Sequence, residues 1–340
     1  MNATAFHAKP ETSAERQEFY RRLSGRNSAP LWEVLGQIIT SEPRPAAVPV
    51  VWHYDELRPL LMESGGLISP EEAERRVLML VNPGLRTASQ ITQSLFAGLQ
   101  LVMPGEITSS HRHSAAALRF IIEGEGAYTT VNGEKVTMRP GDLILTPSWT
   151  HHDHGNPTSK PVIWLDGLDI PIVNVFDASF AERSEKQQSA TDDVVNLVPL
   201  HSQPERTTIP FVSFSYSRSR EALEQMCATS PPHSCNGIKM QFINPATGGY
   251  VTPTIGAFLQ LLPSGFHGKS YRSTDATVFC VAEGRGRSLV GDNSFEWREH
   301  DIFVVPSWCP VTHEAWQESV LFSFSDRPAQ KALGLWREAH

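Results

Sequence analysis

The stretch ALRFIIEGEG, residues 117–126, returns 160 positions further on as TVFCVAEGRG, residues 277–286. A second pair keeps step with it: GDLILTPSW, residues 141–149, matches HDIFVVPSW, residues 300–308, at a displacement of 159. Two blocks at nearly one displacement imply two copies of a single supersecondary unit. Within each copy the segments are short, apolar and β-branched, with turn signals between them. In the first, Gly124 and Gly126 precede AYTTV, and Asn132-Gly133 supplies the positive φ angles of a tight hairpin before KVTMRPGDLILTP. No helices alternate with these segments, so the pattern predicts an all-β fold in which each copy is a barrel.

Helix signals fall outside the repeats. Ser69-Pro70-Glu71-Glu72 reads as an N-cap with proline at N1 and glutamate at N3. SAERQEFYRRL near the N-terminus and SREALEQM from Ser219 read as further helices. The stretch from about Ala178 to Thr208 is polar, lacks hydrophobic periodicity and contains SEKQQSATDD, which marks it as a linker. The expected organisation is therefore an N-terminal helical extension (1–88), a first barrel (89–177), the linker (178–208), and a second barrel with a C-terminal helix (209–340).

With 340 residues and 40% hydrophobic side chains the chain can bury a full core. A formal net charge of −8 gives no long-range attraction for phosphate backbones or anionic lipid, so the expected partner is a small molecule, with no nucleic acid and no membrane. Apolar runs are too short to span a bilayer, and the N-terminus lacks the pattern of a secretory signal. Four cysteines without CxxC spacing fit free thiols in a reducing compartment, and the expected location is the cytoplasm.

Of thirteen histidines, five lie between His111 and His154. Strand residues two apart share a face, so His111 and His113 point one way and Arg112 the other. Continued through Ala115, Ala117 and Arg119, that parity places two metal-capable rings, small side chains that leave room for a ligand, and a cation on one face. SWTHHDHGN, residues 148–156, offers a third ligand, with His152 and His154 on one face and His151 opposed. Three neutral imidazoles suit a divalent transition metal and leave coordination positions open. A lone histidine is most often a core or surface residue; the second cluster, about forty residues on in an all-β context, lifts this set above that. At the repeat displacements His111, His113 and His152 become Tyr271, Ser273 and Val311, with His313 opposite His154. The second copy is expected to lack the triad.

The spacing Gly105-x5-His111-x-His113, then Gly141-x5-Pro147-x4-His152-x3-Asn156, resembles the paired cupin motifs, and the duplication resembles a bicupin of two jelly-roll barrels. The usual cupin glutamate, near Ala117 or Leu118, is absent, which points to an all-histidine iron site rather than a glutamate-ligated metal in both barrels. More closely, HRHSAAALRFIIEGEGAY, PSWTHHDHGN, VIWLDGLDIP, LPSGFHGKSYRSTDATVF and SFSDRPAQKALGLWRE are similar to the gentisate 1,2-dioxygenase family, which includes salicylate, substituted-salicylate and 1-hydroxy-2-naphthoate dioxygenases.

That resemblance implies one Fe(II) per chain in the N-terminal barrel, on His111, His113 and His152. It implies a 2-hydroxybenzoate and dioxygen as substrates, with the ring opened between the carbons bearing the carboxylate and the hydroxyl. Arg119 and His154 would contact those two groups, and Arg75 resembles a further anion-binding arginine of the catalytic site. Gln100 and Asp166 would be polar neighbours of the substrate, while Phe96 and Gly98 shape the pocket. The sequence departs from the family at Ala115, in place of a glutamine, and at His151, in place of a tryptophan; a smaller Ala115 suits a bulkier or less polar ring substituent. Gentisate, cleaved to maleylpyruvate, is the first expectation. The alternatives are 5-nitrosalicylate, 5-chlorosalicylate, salicylate or 1-hydroxy-2-naphthoate, and more remotely a cupin isomerase or hydrolase using another metal, or a non-catalytic binding cupin. The resemblance also implies a homotetramer.

Overall fold

The computed structural model describes residues 13–184 and 213–340. Two compact units emerge, Met1–Arg44 and Pro45–His340. In the first, α1 (Ala14–Ser24) starts at Ser13, whose hydroxyl accepts from the Arg16 amide, and α2 spans Leu31–Ile38. Glu33 ties the two helices by accepting from the Arg16 guanidinium at 2.7 Å and the Tyr20 hydroxyl at 2.5 Å.

The second unit opens with strand β1 (Val50–Trp52), helix α3 (Tyr54–Leu67), a four-residue helix α4 (Pro70–Ala73) capped by Ser69, and strand β2 (Val77–Met79). The N-terminal extension therefore contributes strands as well as helices. The first barrel continues with β3 (Phe96–Val102), β4 (Ser110–His113), β5 (Ala117–Glu123), β6 (Tyr128–Val131), β7 (Glu134–Thr137), β8 (Leu143–Thr146), β9 (His152–Gly155) and β10 (Val162–Leu168). Helix α5 (Ile170–Val175) follows, then β11 (Ala181–Ser184). The expected linker at 178–208 thus begins with a strand paired to β4, and its remainder lies outside the described residues.

After β12 (Ser213–Phe214) and α6 (Tyr216–Thr229) come β13 (Ile238–Gln241), β14 (Gly256–Leu262), β15 (Arg272–Ser273), β16 (Thr277–Glu283), β17 (Arg285–Val290) and β18 (Asn293–Arg298). The second barrel closes with β19 (Ile302–Val305), β20 (Val311–Ala315), β21 (Ser319–Ser325), helix α7 (Arg327–Ala332) and β22 (Glu338–Ala339). The two six-stranded sheets run β12-β8-β5-β10-β3-β2 and β1-β19-β16-β21-β14-β13. Opposite the first stands β11-β4-β9-β6-β7; the smaller sheets β18-β17-β20 and β15-β22 belong to the second barrel. Two features cross between the copies: β12 pairs with β8 of the first barrel, and β1 pairs with β19 of the second.

Alternation along the strands divides the side chains between two destinations. On β5, Leu118, Phe120 and Ile122 join a core shared by both barrels, to which β16 sends Val278 and Cys280. Phe120 and Phe322 stack in this core with ring centroids 4.2 Å apart, one ring from each barrel. The opposite parity faces the barrel interiors, where Ile121, Val131 and Trp164 pack in the first and Phe279, Val281 and Trp297 in the second.

The duplication extends to single hydrogen bonds. Asp169 accepts from the Ala116 amide at 2.8 Å, and Asp326 accepts from the Ala276 amide at 3.0 Å. Trp149 and Trp308 both adopt left-handed backbone, φ 61° and 60°, and their amides donate to the carbonyls of His113 and Ser273. No helix among the described residues is long and apolar enough to cross a membrane.

Candidate metal centre and substrate pocket

Strands β4 and β9 pair at one position, His111 opposite His152. That pairing brings the two histidine stretches together, and the alternation of β4 adds His113 on the same side. Ring centroids lie 4.1 Å (His111–His152), 5.0 Å (His113–His152) and 5.3 Å (His111–His113) apart, and one ligand nitrogen from each falls within 4.8 Å of the others. Arg112 points away, as its parity requires, stacking on Trp149 and pairing with Glu182.

Two of the rings are held in the tautomer a metal needs. Nδ1 of His113 lies 2.7 Å from the Ala115 carbonyl, and Nδ1 of His152 lies 3.0 Å from the Thr150 carbonyl. A carbonyl only accepts, so each Nδ1 carries the proton and each Nε2 offers its lone pair. Nε2 of His152 is buried without a hydrogen-bond partner. The residues present fit a divalent transition metal. At His111 the third ring contacts Nη2 of Arg75 through Nδ1. A neutral imidazole has one acceptor nitrogen, so Arg75 and a metal ion compete for the same electron pair.

Burial keeps these histidines neutral. The His111 imidazole is pushed down to about 3, first by desolvation and then by Arg75, His113 and Arg119. Desolvation lowers His113 as well, with Arg119 and Arg75 adding to it, and His152 and His154 fall well below the usual range for the same first reason. Neutral imidazole is the ligating form.

Beside the triad lies a cavity of about 130 Å³ lined by Arg75, Val77, Phe96, Gln100, His111, His113, Arg119, His152, His154, Asp166 and Leu168. It is smaller than the ~300–1,000 Å³ of drug-sized sites, which suits a single substituted ring. Arg119 is buried and stands opposite Asp166 in the β5–β10 register, with Nε 3.5 Å from the carboxylate. Its Nη1 donates to the Thr146 hydroxyl, and the Trp164 indole donates to Asp166 at 2.9 Å. Desolvation pushes the Asp166 carboxyl up to about 6 against the opposing pull of Arg119, the Trp164 hydrogen bond and Arg75. Both ring nitrogens of His154 and Nε2 of Gln100 are buried without a hydrogen-bond partner, and both residues line the cavity.

Of the pocket residues singled out in the sequence, Arg75, Phe96, Gln100, Arg119, His154 and Asp166 are gathered here. Ala115 and Gly98 are placed differently. Strand β4 stops at His113 and the chain bends before β5 begins at Ala117, so the parity does not run on through Ala115. Ala115 is buried and serves the site through its carbonyl. Gly98 lies behind the wall: a Cβ added there would fall 2.5 Å from Cγ1 of Val77. Val77 and Leu168 in the lining, and Thr146 and Trp164 behind Arg119 and Asp166, join the site without a signal in the sequence. Val77 reaches the cavity because β2 pairs it with Gln100, a long-range register with no local signal.

The cupin domain family matches residues 98–168, the segment that carries the triad. Gentisate 1,2 dioxygenase 1 of Aquipseudomonas alcaligenes is 49% identical, over 98% of this chain and 99% of its own. The 5-aminosalicylate 1,2-dioxygenase of a Comamonas species is 35% identical, over 92% and 87% respectively. Among solved structures, salicylate 1,2-dioxygenase from Pseudoaminobacter salicylatoxidans in its adducts with gentisate superposes with a TM-score of 0.90 at 33% identity, covering 98% of this chain and 96% of that one. Such identity across whole chains, on two duplicated barrels, places this protein in the gentisate 1,2-dioxygenase family of bicupin ring-cleaving dioxygenases.

Proposed function

We propose that the protein is an Fe(II)-dependent dioxygenase that opens a 2-hydroxybenzoate between the carbons bearing its carboxylate and hydroxyl, with gentisate the preferred substrate and maleylpyruvate the product. The observation that carries this reading is the meeting in one cavity of three neutral imidazoles and two guanidiniums, Arg119 and Arg75. His111, His113 and His152 would hold the iron. When bound, it supplies a centre that takes the substrate's two oxygens and dioxygen together and passes electrons from the ring.

The remaining roles follow from the chain's own groups. Arg119 is fixed by Thr146 and Asp166 and presents a permanent cation to the carboxylate without titrating. Arg75, once a metal takes His111, is released from that ring to meet the same carboxylate. His154, neutral and unpartnered, would orient the substrate hydroxyl or accept its proton. Gln100 and Asp166 set the polar wall, and Phe96, Val77 and Gly98 set the space around the ring.

A 5-substituted salicylate is the second reading, favoured by the 5-aminosalicylate 1,2-dioxygenase among the relatives. The domain reading assigns the metal to the 89–177 barrel and none to the 209–340 barrel, where Tyr271 pairs with Val311 as His111 pairs with His152. We assign the protein to the cytoplasm on its four free cysteines. A homotetramer is proposed as well, supported by the exposed apolar side chains Leu31, Trp32, Leu35 and Ile38 of α2.

Oxygen consumption by the Fe(II)-loaded protein, compared across gentisate, salicylate, 5-nitrosalicylate, 5-chlorosalicylate and 1-hydroxy-2-naphthoate, tests the reading. Fastest turnover of gentisate is expected. A preference for a 5-substituted salicylate selects the second reading, and no uptake with any of them overturns both.

A further inference from the structure

The second barrel keeps the strand register of the first barrel's site and changes its chemistry. Register fixes the correspondence: Val77 pairs with Gln100 in the first barrel, and Lys239 pairs with Gln260 in the second. Phe279 occupies the position of Arg119, Ser323 that of Asp166, and His313 that of His154. The cation has moved from one strand to another, from β5 to β13.

Lys239 lines a small cavity of about 20 Å³ with Tyr271, Asp275, His313 and Arg327. Its ammonium lies 5.0 Å from the Phe258 ring centroid and 5.6 Å from that of Phe279, and forms no hydrogen bond or ion pair with any described residue. The nearby carboxylate is already engaged. Buried Asp275 pairs with Arg327 at 3.2 Å and accepts from the Trp336 indole at 2.7 Å.

Beside Lys239 on the same interior face, Gln260 is fully buried with neither amide oxygen nor amide nitrogen hydrogen-bonded. The Ser323 hydroxyl, on that face of β21, is likewise buried and unpartnered. Buried polar groups are almost always hydrogen-bonded, and Lys239, half-buried with its one neighbouring carboxylate already engaged, carries part of the cost of a desolvated ammonium. Aromatic faces offset part of that cost. In the first barrel the same pattern of orphaned polar atoms surrounds the cavity to which the proposed function assigns a metal and its substrate.

We propose that the second barrel binds a small monovalent anion, of halide or formate size, on Lys239 with Gln260 beside it. A cavity of about 20 Å³ admits an occupant of roughly one water molecule's size and excludes an aromatic carboxylate. Net positive charge selects an anion over water: Lys239 and Arg327 face one carboxylate, Asp275. Burial also pushes the Lys239 amine down to about 8, with Arg327 adding to the shift and Asp275 opposing it. An anion beside it restores the ammonium.

The test is thermal unfolding of the metal-loaded protein at constant ionic strength, with sodium gluconate replaced stepwise by chloride, bromide or formate. A bromide anomalous difference map from crystals of the same protein accompanies it. The melting temperature should rise saturably, by about 2–4 °C at tenfold excess over the dissociation constant, and bromide should lie within hydrogen-bond distance of Lys239 Nζ. Lys239→Met should abolish the rise and Lys239→Arg should keep it. Equal melting in gluconate and chloride, or an undiminished rise in Lys239→Met, overturns the proposal and leaves water as the partner of these groups. Should Lys239→Met fail to fold, the wild-type bromide map decides alone: density at Nζ supports the site, and none there overturns it.

Discussion

Gly98 and Val77 are packed so closely across β3 and β2 that a Cβ on the glycine would meet Cγ1 of the valine at 2.5 Å and the Leu78 carbonyl oxygen at 3.1 Å. Val77 is β-branched and stiff, and it has the substrate cavity on its other side. Gly98→Ala is therefore expected to press Val77 into the cavity. Overpacking typically costs about 1–3 kcal/mol, and where that cost falls on the bound transition state kcat/KM drops by roughly 5- to 150-fold. Steady-state kinetics with gentisate and a 5-substituted salicylate, at unchanged iron content, check it; an unchanged kcat/KM would mean that the wall yields freely.

Arg119 and Asp166 form a buried pair, so each single loss strands the other charge. Arg119→Met is expected to abolish turnover and cost about 3–5 kcal/mol, on the order of 10 °C in melting temperature. The double variant Arg119→Met/Asp166→Leu should regain most of that stability and none of the activity. A double variant as unstable as the sum of its parts would show that the pair is not coupled.

His113→Ala should remove both iron and oxygen uptake, because it deletes one of the three proposed ligands, whose ring is fixed by its contact to the Ala115 carbonyl. Tyr271→Ala should leave iron near one per chain. Metal analysis of both purified variants is the check, and iron bound equally in the two barrels would refute the domain reading.

The pH dependence of folding carries a separate signature from His313, which burial, with Lys239 adding to the effect, pushes down to about 3. A folded-state value below the unfolded 6.5 means that the unfolded chain takes up a proton the native chain refuses. Stability from this group is thus present above pH 6.5 and is lost as pH falls from there toward 3. His313→Asn should flatten the fall in melting temperature across that window relative to wild type. Parallel curves would exclude His313 as the source.

The sequence carried the barrels and the triad because both rest on short-range regularities. Alternation in ALRFIIEGEG and its twin survives translation into β5 and β16, and a two-residue spacing puts His111 and His113 on one face in any strand. What it did not carry depends on pairing between distant segments. Val77 is a site residue only because β2 adds to the edge of β3, and nothing in its neighbourhood announces that. Ala115 departs from the strand parity for the opposite reason: Ser114–Ala116 bend the chain between two strands, a break that alternation alone does not reveal. The strand at Ala181–Ser184 was hidden by its polar composition, since an exposed edge strand has no apolar face to show.

Strands β1 and β12 each lie in the sheet of the barrel they do not precede in sequence by simple repetition, and the two barrels share the core in which Phe120 meets Phe322. Neither half is then an autonomous folding unit: a fragment cut between them lacks a strand and exposes half of a core. Cooperativity ties the metal to residues that never approach it. Because the core is shared, a lesion in the second barrel is expected to loosen the first as well, and to be read out as weaker metal binding at the centre proposed there.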